Sequence, residues 1–414
     1  MEKKHILIAV DKFKGSLTSL EAAQAIRRGC EESCPGECDF RIIEIADGGD
    51  GSLQVLKKRA DGAKILKVAL HNPIGRVVES EILLYGMPAS ANYAPIKCAF
   101  IEMAKISGLE MLLKEQRNPL RTSTFGMGEA ILAAAEEGVE QITLSIGGSA
   151  TNDGGAGMLQ ALGFKFFDAA GVEMAAPVCG GDLGRVASII ASCGCETGSS
   201  ISNKLSGIKF KVICDVTNPL LGENGATAVY GPQKGADETA LKILEKGLAN
   251  YAAVAYKCGF GRVEPDCAGA AAAIADFRDY PGAGAAGGVG YAGLVFLGAE
   301  LIPGWKFFAD ITSLEESVQW ADLVVTGEGC LDSQSMSGKV VNGVANLAEK
   351  YSKRLVVFCG VSKLGQDDIG GMECHSIASL GYPLEVCMSN AAKLLQRLAM
   401  ESFAVKKIVG PFNF

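Results

Sequence analysis

The sequence predicts an α/β protein built on parallel sheets, with one domain discontinuous in sequence and a second α/β domain inserted into it. Three observations carry this. Near-continuous apolar runs end in glycine-bearing polar loops and pass into helical patterns, as buried parallel strands do. The style changes between about Lys67 and Ser90, where apolar and polar residues alternate around a turn at "NPIG". Strand-loop-helix units resume after the glycine-rich stretch Gly282 to Gly288. The expected boundaries are therefore 1–66 with 289–414 for the split domain and 67–288 for the insert. At about 150 residues per domain, 414 residues suit two or three domains.

Each unit repeats one pattern. "HILIAV" runs into "DKFKGS" and the helical "LTSLEAAQAIRRGC", where Thr18 and Glu21 fit a capping box. "RIIEIA" runs into "DGGDGS" and "LQVLKKRA", and "LKVALHNPIGRVVESEILLYG" reads as a hairpin. "QITLSI" runs into "GGSATNDGG" and a helix. "IKFKVIC" precedes "DVTNPLLGENGA", and "DLVVTG" precedes "EGCLDSQSMSGK" and "VVNGVANLAEKY". "RLVVFCG" adds a further buried strand.

Composition excludes several classes. The content is 48% hydrophobic and 21% charged, which fits a globular chain with a large core. A net charge of −8 and a pI near 5.2 argue against nucleic acid as a partner. Mean hydropathy is +0.22, but alanine-rich helices supply it and no membrane-length apolar run exists. The apolar run after "MEKKH" is a strand's length, so neither a secretory leader nor a membrane span is expected. Fourteen cysteines stand mostly alone in apolar runs, and there are three histidines. Neither Cys30, Cys34 and Cys38 nor Cys193 and Cys195 has zinc-site spacing. Free thiols in a reducing cytoplasm are the expectation.

The loops carry the chemistry. In open α/β sheets, ligands bind where strands end and helices begin, and helix N-terminal N–H groups hold anions. Gly147 to Gly157 reads as such a cradle, or as a tight turn that uses glycine only for geometry, with Asp153 available for a metal ion or a hydroxyl, or simply to cap its own loop. "DKFKGS" offers Asp11, Lys12, Lys14 and Ser16. "ADGGDG" offers Asp47 and Asp50. Asp215 follows "IKFKVIC", Lys234 lies in "GPQKGA", and Glu328, Asp332 and Lys339 lie in "TGEGCLDSQSMSGK". Lysines and amides that neutralise phosphate oxygens, beside carboxylates that hold Mg²⁺ or accept a hydroxyl proton, suit phosphoryl transfer. No Walker-type glycine loop and no G-x-S-x-G elbow occurs. The literal G-x-G-x-x-G at Gly282, Gly284 and Gly287 follows no clean strand, and so reads as a packed glycine segment at a domain junction.

Ten ordered motifs, among them "DKFKGSLTSLEAAQAI", "ADGGDGS", "IEMAKISGL", "RNPLRTSTFGMGEAI", "IGGSATNDGGAGMLQALG", "CDVTNPLLGENGA", "YGPQKGA", "GAGAAGGVGY" and "TGEGCLDSQSMSGKVVNGVA", resemble the bacterial glycerate kinase family from Ile6 to about Ser362. The resemblance implies a flavodoxin-like, Rossmann-like parallel-sheet domain with the inserted domain, and a site in the cleft between them. It also implies ATP- and Mg²⁺-dependent phosphorylation of D-glycerate to 2-phosphoglycerate. Lys12 stands where the family usually has serine, Asp50 where it has glutamate, and Ser335 where it has threonine.

On that resemblance, Lys14, Ser16, Asp11 and Gly147, Gly148 and Ser149 meet the substrate, with Asp153 either joining them or capping its loop. Asp47 and Asp215 are the alternatives for the proton acceptor, and Asp215 or Glu328 for the Mg²⁺ ligand. Lys234, Gly327, Gly329 and Lys339 meet the nucleotide phosphates. A homo-oligomer is compatible with this reading; a membrane or nucleic-acid partner is not. The alternatives are a kinase for another small hydroxy acid, 3-phosphorylation of glycerate, or an anion-sensing protein without catalysis.

Overall fold

The computed structural model describes residues 3–45, 52–60, 62–87, 95–191, 205–261, 276–332, 335, 340–365 and 372–404. The chain divides into two compact units, Met1–Asp47 with Pro303–Phe414, and Gly48–Ile302. The positions 66/67 and 288/289 fall inside elements of the second unit, a strand of the hairpin and a glycine-rich helix.

The first unit holds strands β1 (Lys4–Val10), β2 (Cys38–Ile42), β11 (Leu323–Leu331), β12 (Arg354–Ser362) and β13 (Glu373–Ser376). They form one sheet in the order β13-β12-β11-β1-β2, and every pair is parallel. Numbered within the unit, the order is 2-1-3-4-5, the flavodoxin arrangement, whose topological switch lies between the first and third strands. Those strands are β1 and β11. The apolar runs predicted as strands are fully buried here: Leu7, Ile8, Ala9 and Val10 of β1 are sealed from solvent. Helix α1 (Ser19–Ser33) starts at Thr18 with the expected capping box to Glu21. It packs with α12 (Ala391–Ala404) over one sheet face, around Ile26, Phe358, Leu395 and Phe403.

The second unit carries a six-stranded sheet in the order β10-β9-β6-β5-β4-β3. Its strands are β3 (Lys64–His71), β4 (Val77–Met87), β5 (Ile96–Glu102), β6 (Gln141–Ser145), β9 (Lys209–Ile213) and β10 (Glu300–Ile302). The hairpin read around "NPIG" is present: β3 and β4 pair antiparallel with Leu70 opposite Val78. β5, β6, β9 and β10 run parallel. Helices α3 (Phe125–Glu136), α4 (Ala156–Ala161), α6 (Glu238–Lys257) and α7 (Ala285–Phe296) bury one continuous core with this sheet, including Ile101, Met127, Leu144, Met158, Leu248 and Tyr251.

Candidate active site

Each unit gathers predicted site residues at the C-terminal edge of its sheet. In the first unit they lie at the switch point. Asp11 follows β1, and its N–H donates to the Gly327 carbonyl at 2.8 Å, so the "DKFKGS" loop leaves directly beside β11. The Asp11 carboxylate accepts the Lys12 N–H at 2.7 Å. Ser16 is spent locally, its hydroxyl donating to the Phe13 carbonyl at 3.0 Å. Lys14 stands exposed on the same turn.

Glu328 and Gly329 were expected in a loop, but β11 continues through them to Leu331. The reason is pairing: Glu328 lies opposite Cys359, and Cys330 and Leu331 opposite Val361 and Ser362 of β12. Glu328 is thereby fixed on a strand, half-buried, one residue beyond the Asp11–Gly327 contact. Gly329 permits the close approach, since a Cβ there would lie 2.9 Å from the Lys14 backbone nitrogen. Asp332 closes a tight turn with Ser335, accepting its N–H at 3.2 Å. Lys339, like Asp47 and Asp50, lies outside the described residues.

In the second unit the ends of β5, β6 and β9 meet. Glu102 pairs with Ser145, and Ser145 with Ile213, so Gly147 and Asp215 each lie two residues past the last paired positions of neighbouring strands. The Gly147–Ser149 stretch is held from the side by the segment after β5. The Leu109 N–H donates to the Gly148 carbonyl at 2.8 Å, and the Ala150 N–H to the Ser107 carbonyl at 2.9 Å. Gly147 is half-buried, Gly148 exposed and Ser149, at the inner end of this stretch, 7% exposed, whereas every residue from Ala150 to Leu159 is buried. The loop thus has an open lip and a closed keel. Asp215 is half-buried.

Asp153 belongs to the keel and is 0% exposed. Its carboxylate accepts from the Thr124 N–H and hydroxyl at 2.8 Å each, the Gly155 N–H at 3.2 Å and the Gly157 N–H at 3.3 Å. Thr124 in turn accepts the Met158 N–H at 2.9 Å. Burial pushes the Asp153 carboxyl above its usual range, and the four donors oppose that. Of the two roles offered for it by the sequence, loop cap is the one these contacts describe. Lys234 is also closed off, 2% exposed, with its ammonium donating to the Thr151 carbonyl at 2.6 Å.

Two residues that reasoning from sequence left without a role take part. Thr124, in "RNPLRTSTFGMGEAI", clamps Asp153. Glu102, in "IEMAKISGL", is 1% exposed and accepts the Leu53 N–H at 3.2 Å, anchoring the start of helix α2 (Ser52–Arg59) to the end of β5. A threonine before a helical run was the one available signal for the first; nothing local marks the second.

Among the described residues, no group of three His, Cys, Asp or Glu side chains is placed to hold a metal ion. The half-buried carboxylates Asp215, just past β9, and Glu328, on β11, are hard oxygen donors, and a single such ligand suits Mg²⁺, which keeps water and phosphate oxygens for its other positions. The described cysteines are free thiols, and no helix among the described residues is long and apolar enough to cross a membrane.

Residues 6–406 match the model of the glycerate kinase family. The chain belongs to the glycerate kinase family. It is 39% identical over 409 residues to "Glycerate kinase" of Bacillus subtilis (strain 168), covering 97% of this chain and 98% of that one. It is 41% identical over 372 residues to "Glycerate 2-kinase" of Escherichia coli (strain K12), covering 90% and 88%. A crystal structure from Salmonella typhimurium LT2, whose name refers to glycerate kinase 2, aligns with a TM-score of 0.76 at 37% identity, over 99% of this chain and 100% of that chain. Membership makes the protein a phosphotransferase.

Proposed function

We propose that this glycerate kinase family member transfers the γ-phosphoryl group of ATP to the 2-hydroxyl of D-glycerate, giving 2-phosphoglycerate and ADP. The supporting observation is its 41% identity, over 90% of its length, to the E. coli protein named glycerate 2-kinase. In the reaction the hydroxyl oxygen bonds to the γ-phosphorus in line with the departing ADP oxygen. The β–γ bridge breaks, and the hydroxyl proton passes to a carboxylate.

The glycerate carboxylate needs a cation or N–H groups, which Lys14 or the Gly147–Ser149 lip supplies. Asp47 or Asp215 accepts the proton. Gly327 and Gly329 keep the β11 edge low beside the phosphates, and Lys339 neutralises a phosphate oxygen. Asp215 or Glu328 supplies the protein oxygen to Mg²⁺. When bound, Mg²⁺ neutralises charge on the phosphates. The protein's own contribution is placement and electrostatics, without a covalent enzyme intermediate.

The test is incubation with ATP, Mg²⁺ and D-glycerate, followed by ³¹P NMR. Phosphorus on the 2-oxygen couples to one carbon-bound proton and gives a doublet; on the 3-oxygen it couples to two and gives a triplet. A doublet is expected. A triplet would move the phosphorylated position, and ADP release with other hydroxy acids but not D-glycerate would move the substrate.

A further inference from the structure

Lysines beside glycine loops are ordinarily assigned to phosphate, and "GPQKGA" invites that for Lys234. Its surroundings argue otherwise. The residue ends a 3-10 turn, Pro232–Lys234, and its whole side chain is sealed within the second unit. Its ammonium donates to a main-chain carbonyl, Thr151, at 2.6 Å, the short distance of a charge-assisted bond. Thr151 is two residues past Ser149, at the start of the keel. The rest of the keel is gripped as firmly: Asn152 donates to the Thr227 hydroxyl at 3.1 Å, Asp153 takes its four bonds, and the Gly154 N–H donates to the Gly287 carbonyl at 2.9 Å.

Stability alone does not account for such a lysine. Burying an ammonium costs several kcal/mol, and even a complete buried ion pair is often replaceable by apolar groups of similar volume without loss of stability. The burial pushes Lys234 down to about 7, with the Asp153 carboxylate opposing the shift. The same keel also leaves Thr151 Oγ1 and Asn152 Oδ1 buried without hydrogen-bond partners. Unsatisfied buried groups of this kind concentrate where geometry serves function.

We propose that Lys234 is a positioning residue: from beneath the loop it fixes the Thr151 carbonyl and so sets the Gly147–Ser149 lip against the substrate anion, without touching phosphate. The proposal rests on the kinase reading for the reaction it serves.

Two experiments test it. The first uses the wild-type protein: lysine acylation with acetic anhydride, mapped by mass spectrometry, with and without ATP and Mg²⁺. Lys234 is expected to stay unmodified in both while exposed Lys14 is modified. Modification of Lys234 in the free protein that nucleotide suppresses would overturn the proposal.

The second compares Lys234→Met with Lys234→Gln. Met keeps the stem and loses the donor; Gln retains a shorter N–H donor. Lys234→Met is expected to lower kcat by roughly ten- to a hundredfold, as small misplacements of positioning groups do, with KM for ATP unchanged within about threefold. The Gln variant recovers part of that loss. A rise of about tenfold in KM for ATP with kcat preserved marks a phosphate ligand and refutes the proposal. Should the Met variant not fold, the Gln variant and the labelling decide. Failure of the wild type to phosphorylate D-glycerate would overturn the functional reading instead, and the labelling result stands apart from it.

Discussion

Thr124→Val is the sharpest probe of the keel, because valine keeps the shape and deletes one hydroxyl. That hydroxyl donates to Asp153 at 2.8 Å and accepts the Met158 N–H at 2.9 Å, and the residue is fully buried. Losing a hydrogen bond to a charged group costs about 1.5–3 kcal/mol, and orphaning a buried N–H about 1–3 kcal/mol. The two share one atom, so about 3–5 kcal/mol is expected in total. At about 2–4 °C per kcal/mol for a unit of this size, the calorimetric transition of the second unit falls by roughly 10 °C. Thr124→Ser keeps the hydroxyl, loses one methyl and costs about 1 kcal/mol.

The difference between those variants also has a pH signature. Burial raises Asp153 in the folded state above 3.8, so its ionisation removes stability as pH rises through 3.8 toward the folded value. The Thr124 hydroxyl favours the ionised form. Where Asp153 is protonated its loss costs mainly the orphaned Met158 N–H, and the gap between wild type and Thr124→Val widens as pH rises and the bond to the ionised carboxylate adds to it. If the two variants melt within about 2 °C of each other at neutral pH, the clamp reasoning fails.

Other expectations follow the same logic. Lys14→Ala and Asp47→Asn should each lower kcat/KM by about a hundredfold or more while leaving the melting midpoint nearly unchanged, measured by steady-state kinetics and calorimetry; near-normal turnover rejects the role. Gly287→Ala places a Cβ 2.2 Å from the Thr151 carbonyl at a φ of +69°, so a loss above about 3 kcal/mol in urea unfolding, or no soluble protein, is expected. Thr18→Ala breaks the α1 capping box and should cost about 1 kcal/mol with turnover intact; an unchanged urea midpoint would discount the cap.

Local patterns were legible because they depend on near neighbours. The apolar runs Ile6–Val10 and Leu323–Thr326, the Thr18–Glu21 cap and the "NPIG" hairpin each follow from propensity and spacing over a few residues. The glycine cradle was legible as well, since so many glycines after a strand leave few other conformations. Reading the "EGCL" segment as loop failed because its strand character comes from β12, a partner some thirty residues away.

By itself the sequence determined the alternation of strands and helices, the family motifs and the charge types gathered at strand ends. Those are set by composition and short-range order. Only the tertiary structure decided which charges face outward. Lys14 and Lys234 look alike as lysines beside glycines, yet one is exposed and the other sealed under Thr151. Asp153 likewise becomes a loop clamp through Thr124, twenty-nine residues away. Burial is a property of what packs over a residue, and long-range packing leaves no mark in the neighbouring letters.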